Sequence, residues 1–264
     1  MVALMKETQT VLLQQVRVVD SASPFHGQLA DIALRDGKIE DIAPKLSGNY
    51  QRCIQGKDLH VSPGWMDLRV NFRDPGEEDK EDLRSGSMAA LSGGFTAVGL
   101  SPGTTPAIDS KADVEYILRA SESSPLHLYP VGAITQGLKG KDLSEMYDLL
   151  QAGAVGFSQG EMALESSAIL RLAMLYAREL APPLHLTAYD PDLLQDGQMH
   201  EGKISTQLGL RGFPVLAEEI GLLRNFHLAH YADAGIHCQR ISSAAAVNLL
   251  REKSKAQGRI TADV

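Results

Sequence analysis

The sequence predicts an α/β fold: a (β/α) barrel with seven strands present, preceded by an N-terminal β-sandwich-like domain. Three observations predict it. After Pro63-Gly64, short apolar runs alternate with helix-period segments, the pattern of strands paired in parallel through helical crossovers. Before that point the segments read as β structure around a tight-turn signal at Asp36-Gly37. The length of 264 residues suits one large domain with a small appendage, a plain eight-fold barrel taking about 250.

The elements follow in order. Residues 1–62 form the expected β domain and residues 63–264 the barrel part. Residues 16–19 are a β-branched run, and residues 30–34 and 38–42 flank the turn, with Ile32, Leu34 and Ala30 on one face. In the barrel part, residues 65–72, 95–100, 126–134, 154–158, 184–188, 236–240 and 260–264 read as buried strands. Between them, Leu143, Met146, Tyr147 and Leu150 follow the i, i+3, i+4, i+7 spacing of one helix face. So do Ile169, Leu172, Ala173 and Tyr176, and more weakly Ser243, Ala246, Val247 and Leu250.

Composition excludes several classes. With 44% hydrophobic and 22% charged residues the chain is globular rather than disordered. A formal charge of −8 without a basic block argues against nucleic acid, and no apolar run approaches the ~20 residues of a membrane helix. The segment Met1 to Glu7 carries no signal-peptide pattern, and Cys53 and Cys238 fit neither a zinc spacing nor a disulfide framework. A reducing, cytoplasmic setting is expected.

Chemistry in such barrels sits at the C-terminal ends of the strands. There the chain carries residues 69–73, 101–105, 135–136, 158–160, 187–190 and 239–243. The histidines offer no evident site. His227 and His230 lie i, i+3 on an expected outer helix, a surface position, and His185 and His237 lie within strands as core or outward-facing residues. His26, His60, His127 and His200 have no partner in sequence. Cys238 beside His237 is expected to be a buried structural cysteine, because neighbours in a strand point to opposite faces. No Gly-x-Ser-x-Gly elbow is present, and Gly93-Gly94 precedes a strand, so it is no dinucleotide loop.

Ser62-Pro63-Gly64-Trp65-Met66-Asp67-Leu68-Arg69-Val70-Asn71-Phe72-Arg73-Asp74-Pro75-Gly76 resembles the first barrel strand of dihydroorotases in the amidohydrolase superfamily. Lys80-Glu81-Asp82, Gly93-Gly94-Phe95-Thr96, Ser101-Pro102-Gly103-Thr104-Thr105-Pro106 and Gly156-Phe157-Ser158 extend the likeness. It continues through Glu201-Gly202, Leu208 to Pro214 with Ala217-Glu218, and Thr261-Ala262-Asp263-Val264, in order along the chain. Allantoinases and dihydropyrimidinases are the nearest relatives. The resemblance implies an amidohydrolase-type TIM barrel and the reversible hydrolysis of dihydroorotate to N-carbamoyl-aspartate by metal-activated water, in pyrimidine biosynthesis.

The resemblance also marks what has changed. The family's His-x-His pair falls on Arg69 and Asn71, its bridging carboxylate on Gln159, its fifth-strand histidine on Thr187 and its sixth-strand histidine on Arg240. Arginine has donors only and stays charged, so it repels a cation, and an amide oxygen is a poor zinc ligand. Zinc serves active family members, yet no metal or other cofactor is expected here. Arg73 matches the arginine that grips the substrate carboxylate, while its companion asparagine is replaced by Gly103. Two readings of Arg73 stand side by side: retained anion binding, or pairing with Asp74, Glu77 or Glu78. Arg69, Arg73 and Arg240 would converge on one mouth that binds a carboxylate or phosphate. Alternatively, and preferred, Arg69 and Arg240 fill the former metal cavity and pair with carboxylates or carbonyls.

The expected function is therefore that of a non-catalytic or impaired dihydroorotase homologue, with aspartate transcarbamoylase as partner and a homo-oligomeric state. The alternative is an active dihydroorotase or related cyclic amidohydrolase with an altered site. A purely structural relative, like the dihydropyrimidinase-related proteins, is a weaker third option. By the motifs the sequence stops inside the seventh strand, where the family continues to an eighth strand and a catalytic aspartate. A longer chain with a further C-terminal third is expected.

Overall fold

The computed structural model describes residues 9–122, 124–194, 196–256 and 259–264; the chain separates into two compact units, Met1–Gly64 and Trp65–Val264. The first seven residues, which bear on a signal peptide, lie outside the described residues.

The first unit contains β1 (Thr10–Val18), β2 (Leu29–Arg35), β3 (Lys38–Ala43), β4 (Arg52–Ile54) and β5 (His60–Val61). They make one sheet, in the order β3-β2-β1-β4 with β5 also on β1; a second layer of a sandwich is not among the described residues. Asp36 and Gly37 take φ of 51° and 77°, the doubly left-handed turn whose twist matches that of the strands it joins. β1 starts six residues earlier than its β-branched run, and its register shifts at Gln15, where φ is 51°. The buried Asp31 carboxylate accepts the Gln15 N–H at 2.8 Å across that bulge. Val16, Val18, Ala30 and Ile32 form the small core, with Leu34 and Ile42 half-buried on it, while Ile39 is exposed.

The second unit runs β6 (Trp65–Val70), α1 (Leu83–Ser92), β7 (Phe95–Leu100), α2 (Lys111–Ser121), β8 (His127–Ala133), α3 (Met146–Ala152), β9 (Gly156–Ser158) and α4 (Ser167–Ala177). It continues with β10 (Leu184–Thr187), α5 (Pro191–Leu194), β11 (Met199–His200), α6 (Lys203–Leu208), β12 (Gly212–Phe213), α7 (Val215–Ala232), β13 (Ile236–Gln239), α8 (Ala244–Ala256) and β14 (Ile260–Ala262). Seven strands, β6 to β10 with β13 and β14, form one all-parallel sheet in chain order, curled as a half-barrel with helices outside. β11 and β12 make a separate two-stranded ribbon that the hydrophobic periodicity does not foretell.

All seven expected strands are present, several of them one or two residues shorter. Two helix faces need correction. On α3 the fully buried residues are Met146 and Leu149; Leu143 precedes the helix and Tyr147 is exposed. On α4 they are Leu170, Ala173, Met174 and Ala177, so the true stripe is rotated from the expected one and Leu172 faces solvent. Both segments are apolar on more than one face, and neighbouring helices select the phase. Val98, Leu100, Ile108, Phe157, Leu184, Leu222 and Ile236 fill the core behind the sheet. Among the described residues no helix is long and apolar enough to cross a membrane.

Helix α7 lies close on the loop after β10. A Cβ at Gly221 would sit 2.5 Å from the Tyr189 backbone nitrogen, so only glycine permits that approach. One turn earlier, the buried Glu218 accepts hydrogen bonds from the Ser242 and Ser243 N–H groups at 2.8 and 3.0 Å and from the Ser242 hydroxyl at 3.1 Å. A carboxylate ahead of a helix N-terminus meets both orphan N–H groups and the positive end of the dipole. Glu218 thereby fixes the loop between β13 and α8, which begins at Arg240.

Candidate functional site

The C-terminal ends of the parallel strands carry the expected residues, and the structure treats them unequally. Arg69 is on β6 with its backbone N–H on Asp67 Oδ1. Its Nη1 is buried with no hydrogen bond among the described residues, 3.9 Å from Asp263 Oδ1. Asn71 lies past the end of β6, so the two-residue alternation that would align it with Arg69 is broken there. Its Oδ1 accepts the Arg73 N–H at 3.2 Å. Arg73, with φ of 65°, pairs through Nη1 with Glu77 Oε2 at 2.7 Å. Its neighbour Asp74 instead accepts the Tyr116 hydroxyl at 2.7 Å and the Leu83 N–H at 3.2 Å.

On the next strands the positions are closed by local bonds. Gln159 is buried, and its Nε2 lies 2.9 Å from the Thr135 hydroxyl oxygen, which also accepts the Gly140 N–H at 2.9 Å. Thr187 is buried at the end of β10 and accepts from Arg240 Nη2 at 3.1 Å. The same Nη2 donates to the Glu161 carbonyl. Arg240 has φ of 59°, a left-handed conformation that costs a non-glycine residue on the order of 1 kcal/mol. Its backbone N–H is held by Asp263 Oδ1 at 2.6 Å.

Asp263 is thus the hub, a role that sequence reasoning does not assign to it. One oxygen faces Arg69 and the Arg240 N–H, and the other lies 3.3 Å from His237 Nε2. Its position just past β14, at a strand's C-terminal end, is the signal that would have found it. His237 Nδ1 lies 2.8 Å from the Thr261 hydroxyl and Nε2 3.3 Å from Asp263, so both ring nitrogens have a hydrogen-bond partner. The ring centroid of His185 stands 5.0 Å from that of His237. Burial, aided by His237, lowers the pKa of His185 to about 4, against a weaker opposing pull from Asp263. Burial also pushes the Cys238 thiol up to about 12, so it is no nucleophile at neutral pH. His227 and His230 are exposed on α7.

A cleft of about 670 Å³ opens over the ends of β10 and β13, lined among others by Thr187, Gln239, Arg240 and Ser242 and by the aromatic residues Tyr189 and Phe213. Arg73 is not among its lining residues, so the three arginines do not share one cavity. The donor set does not suit a divalent cation. Where a metal needs lone pairs, Arg240 presents N–H groups, Thr187 accepts from Arg240, and Gln159 Oε1 accepts the Thr135 hydroxyl at 3.0 Å. Among the described residues no three His, Cys, Asp or Glu side chains stand together as a ligand group.

The chain matches the dihydro-orotase-like family over residues 59–246. A dihydroorotase of Syntrophus aciditrophicus is 40% identical over 256 residues, covering 96% of this chain and 60% of that protein. One of Syntrophotalea carbinolica is 38% identical with the same coverage. The chain therefore spans about three fifths of the length of the curated relatives it matches. Among solved structures, an L-hydantoinase (dihydropyrimidinase) from Arthrobacter aurescens superposes with a TM-score of 0.76 at 20% identity, over 96% of this chain and 57% of that one. A D-hydantoinase gives 0.71 at 17% identity, again over 96% and 57%. These two likenesses show that the chain shares its fold with that part of the two hydantoinases.

Proposed function

The chain belongs to the dihydro-orotase-like family, in the cyclic amidohydrolase branch, and from that premise we propose that it serves pyrimidine biosynthesis without performing the family's metal-dependent hydrolysis. The observation that carries this reading is Arg240. Its guanidinium occupies the position matched to a family metal histidine and is anchored on the Glu161 carbonyl and Thr187. A fixed cation at that point, with Arg69 nearby on Asp263, opposes a divalent ion by charge as well as by want of lone pairs. The chain's own residues there bind and orient one another: Asp263 fixes the Arg240 backbone and His237, and Glu218 fixes the following loop.

In this reading the protein acts through assembly, with itself and with aspartate transcarbamoylase, the partner that the family resemblance suggests. Metal analysis of purified protein together with N-carbamoyl-aspartate cyclisation tests the first part. Substoichiometric zinc and no cyclisation are expected. Stoichiometric zinc with cyclisation would establish the other reading, an active cyclic amidohydrolase with an altered site. Light scattering after mixing with aspartate transcarbamoylase tests the second part, and an unchanged mass at micromolar concentrations would refute it.

A further inference from the structure

We propose that the cleft above β10 and β13 is a binding site for a small organic monocarboxylate, with Arg240 as its counter-ion; this rests on the reading that no metal holds this mouth. The first ground is unbalanced charge. Arg240 Nη2 spends its protons on two neutral oxygens, the Glu161 carbonyl and the Thr187 hydroxyl. Among the described residues no carboxylate lies within ion-pair distance of the guanidinium, and Nε and Nη1 make no hydrogen bond. Two carboxylates also line the cleft: Glu218, which is saturated by three donors, and exposed Glu161, and neither pairs with the guanidinium among the described residues. A half-buried guanidinium left with free donors on a cleft of about 670 Å³ attracts an anion.

The second ground is the surrounding donor set. Thr187 accepts from Arg240, which leaves its hydroxyl proton free. Gln239 receives the Ser158 hydroxyl on Oε1, which leaves its NH₂ as donor. Both residues line the cleft with Arg240, so its lining offers donors where a metal site would offer acceptors. The third ground sets the ligand's size and charge. The Glu161 and Glu218 carboxylates on the same cleft repel a phosphate dianion more strongly than a monoanion, so the guanidinium suits a singly charged ligand. The lining also carries Tyr189 and Phe213 in an edge-to-face pair 6.2 Å apart, together with Met199, apolar surface that suits a flat apolar body. This position is separate from Arg73, which is engaged by Glu77.

Calorimetric titration of the full chain with benzoate tests the inference, in EDTA and at constant ionic strength set with chloride, with inorganic phosphate as the comparison. Saturable binding of benzoate and none of phosphate is expected. Arg240→Gln should weaken benzoate by about tenfold or more, the loss of one charge-assisted contact. Arg240→Lys, which keeps the cation, should bind more tightly than Arg240→Gln. If Arg240→Gln fails to fold, Tyr189→Ala supplies the variant, with weaker benzoate binding expected. No benzoate binding, phosphate binding as tight as benzoate, or unchanged affinity in the folded variants overturns the proposal. Because EDTA is present, a negative result leaves the metal analysis to stand or fall separately.

Discussion

Acidification is expected to weaken the barrel unit through His185, and the size of the effect follows from its surroundings. The ring is largely buried on β10, its Nδ1 has no hydrogen-bond partner among the described residues, and His237 stacks 5.0 Å away. The titratable groups facing it are His237, which opposes its protonation, and Asp263, which favours it. Burial prevails and holds the pKa at about 4, against 6.5 for the unfolded chain. The depressed value means that between these two pH limits the unfolded state binds the extra proton. Stability is fully present above about pH 6.5 and is lost as pH falls towards 4. The gap corresponds to about 3 kcal/mol in full, of which about 2 kcal/mol is gone by about pH 5. Urea unfolding of wild type and His185→Gln at about pH 8 and about pH 5 measures it, the variant removing only this titration. Wild type should lose about 2 kcal/mol more than the variant over that interval. Equal losses in the two proteins would refute the assignment.

Three further outcomes are expected. Gly99→Ala on β7 places a Cβ 2.3 Å from the Leu68 carbonyl oxygen on the adjacent strand, so the β6–β7 pairing must move. A loss of about 2–3 kcal/mol in thermal or urea unfolding is expected, and a neutral result would contradict that close approach. Thiol titration of the native protein should label exposed Cys53 and leave Cys238, buried with its pKa near 12, until denaturant is added; two rapid thiols without denaturant would argue against the packing of β13. Restoring Arg69→His and Asn71→His together should give neither bound zinc nor hydrolysis, because Gln159, Thr187 and Arg240 remain; atomic absorption and a dihydroorotate assay decide it.

The residue chemistry at the strand ends was set by sequence alone. That Arg69 and Arg240 bring charge and donors, where a metal would need acceptors, follows from side-chain identity and needs no coordinates. Local structure was legible where one short-range rule dominates. Asp36-Gly37 turns because those two residues tolerate left-handed backbone, and residues 95–100 form a strand because a buried parallel strand is a short continuous apolar run. Tertiary structure decided the rest. The stripe on α4 could sit on either of two faces, and only packing against α7 and the sheet buries Leu170 and Met174 in place of Leu172. Arg73 had three acidic neighbours within five residues, and the turn geometry gives it Glu77. The hub is the clearest case. Asp263 meets Arg69 from 194 positions away because the curl of a seven-stranded sheet brings β6 and β14 towards a common interior, a distance that no local pattern encodes.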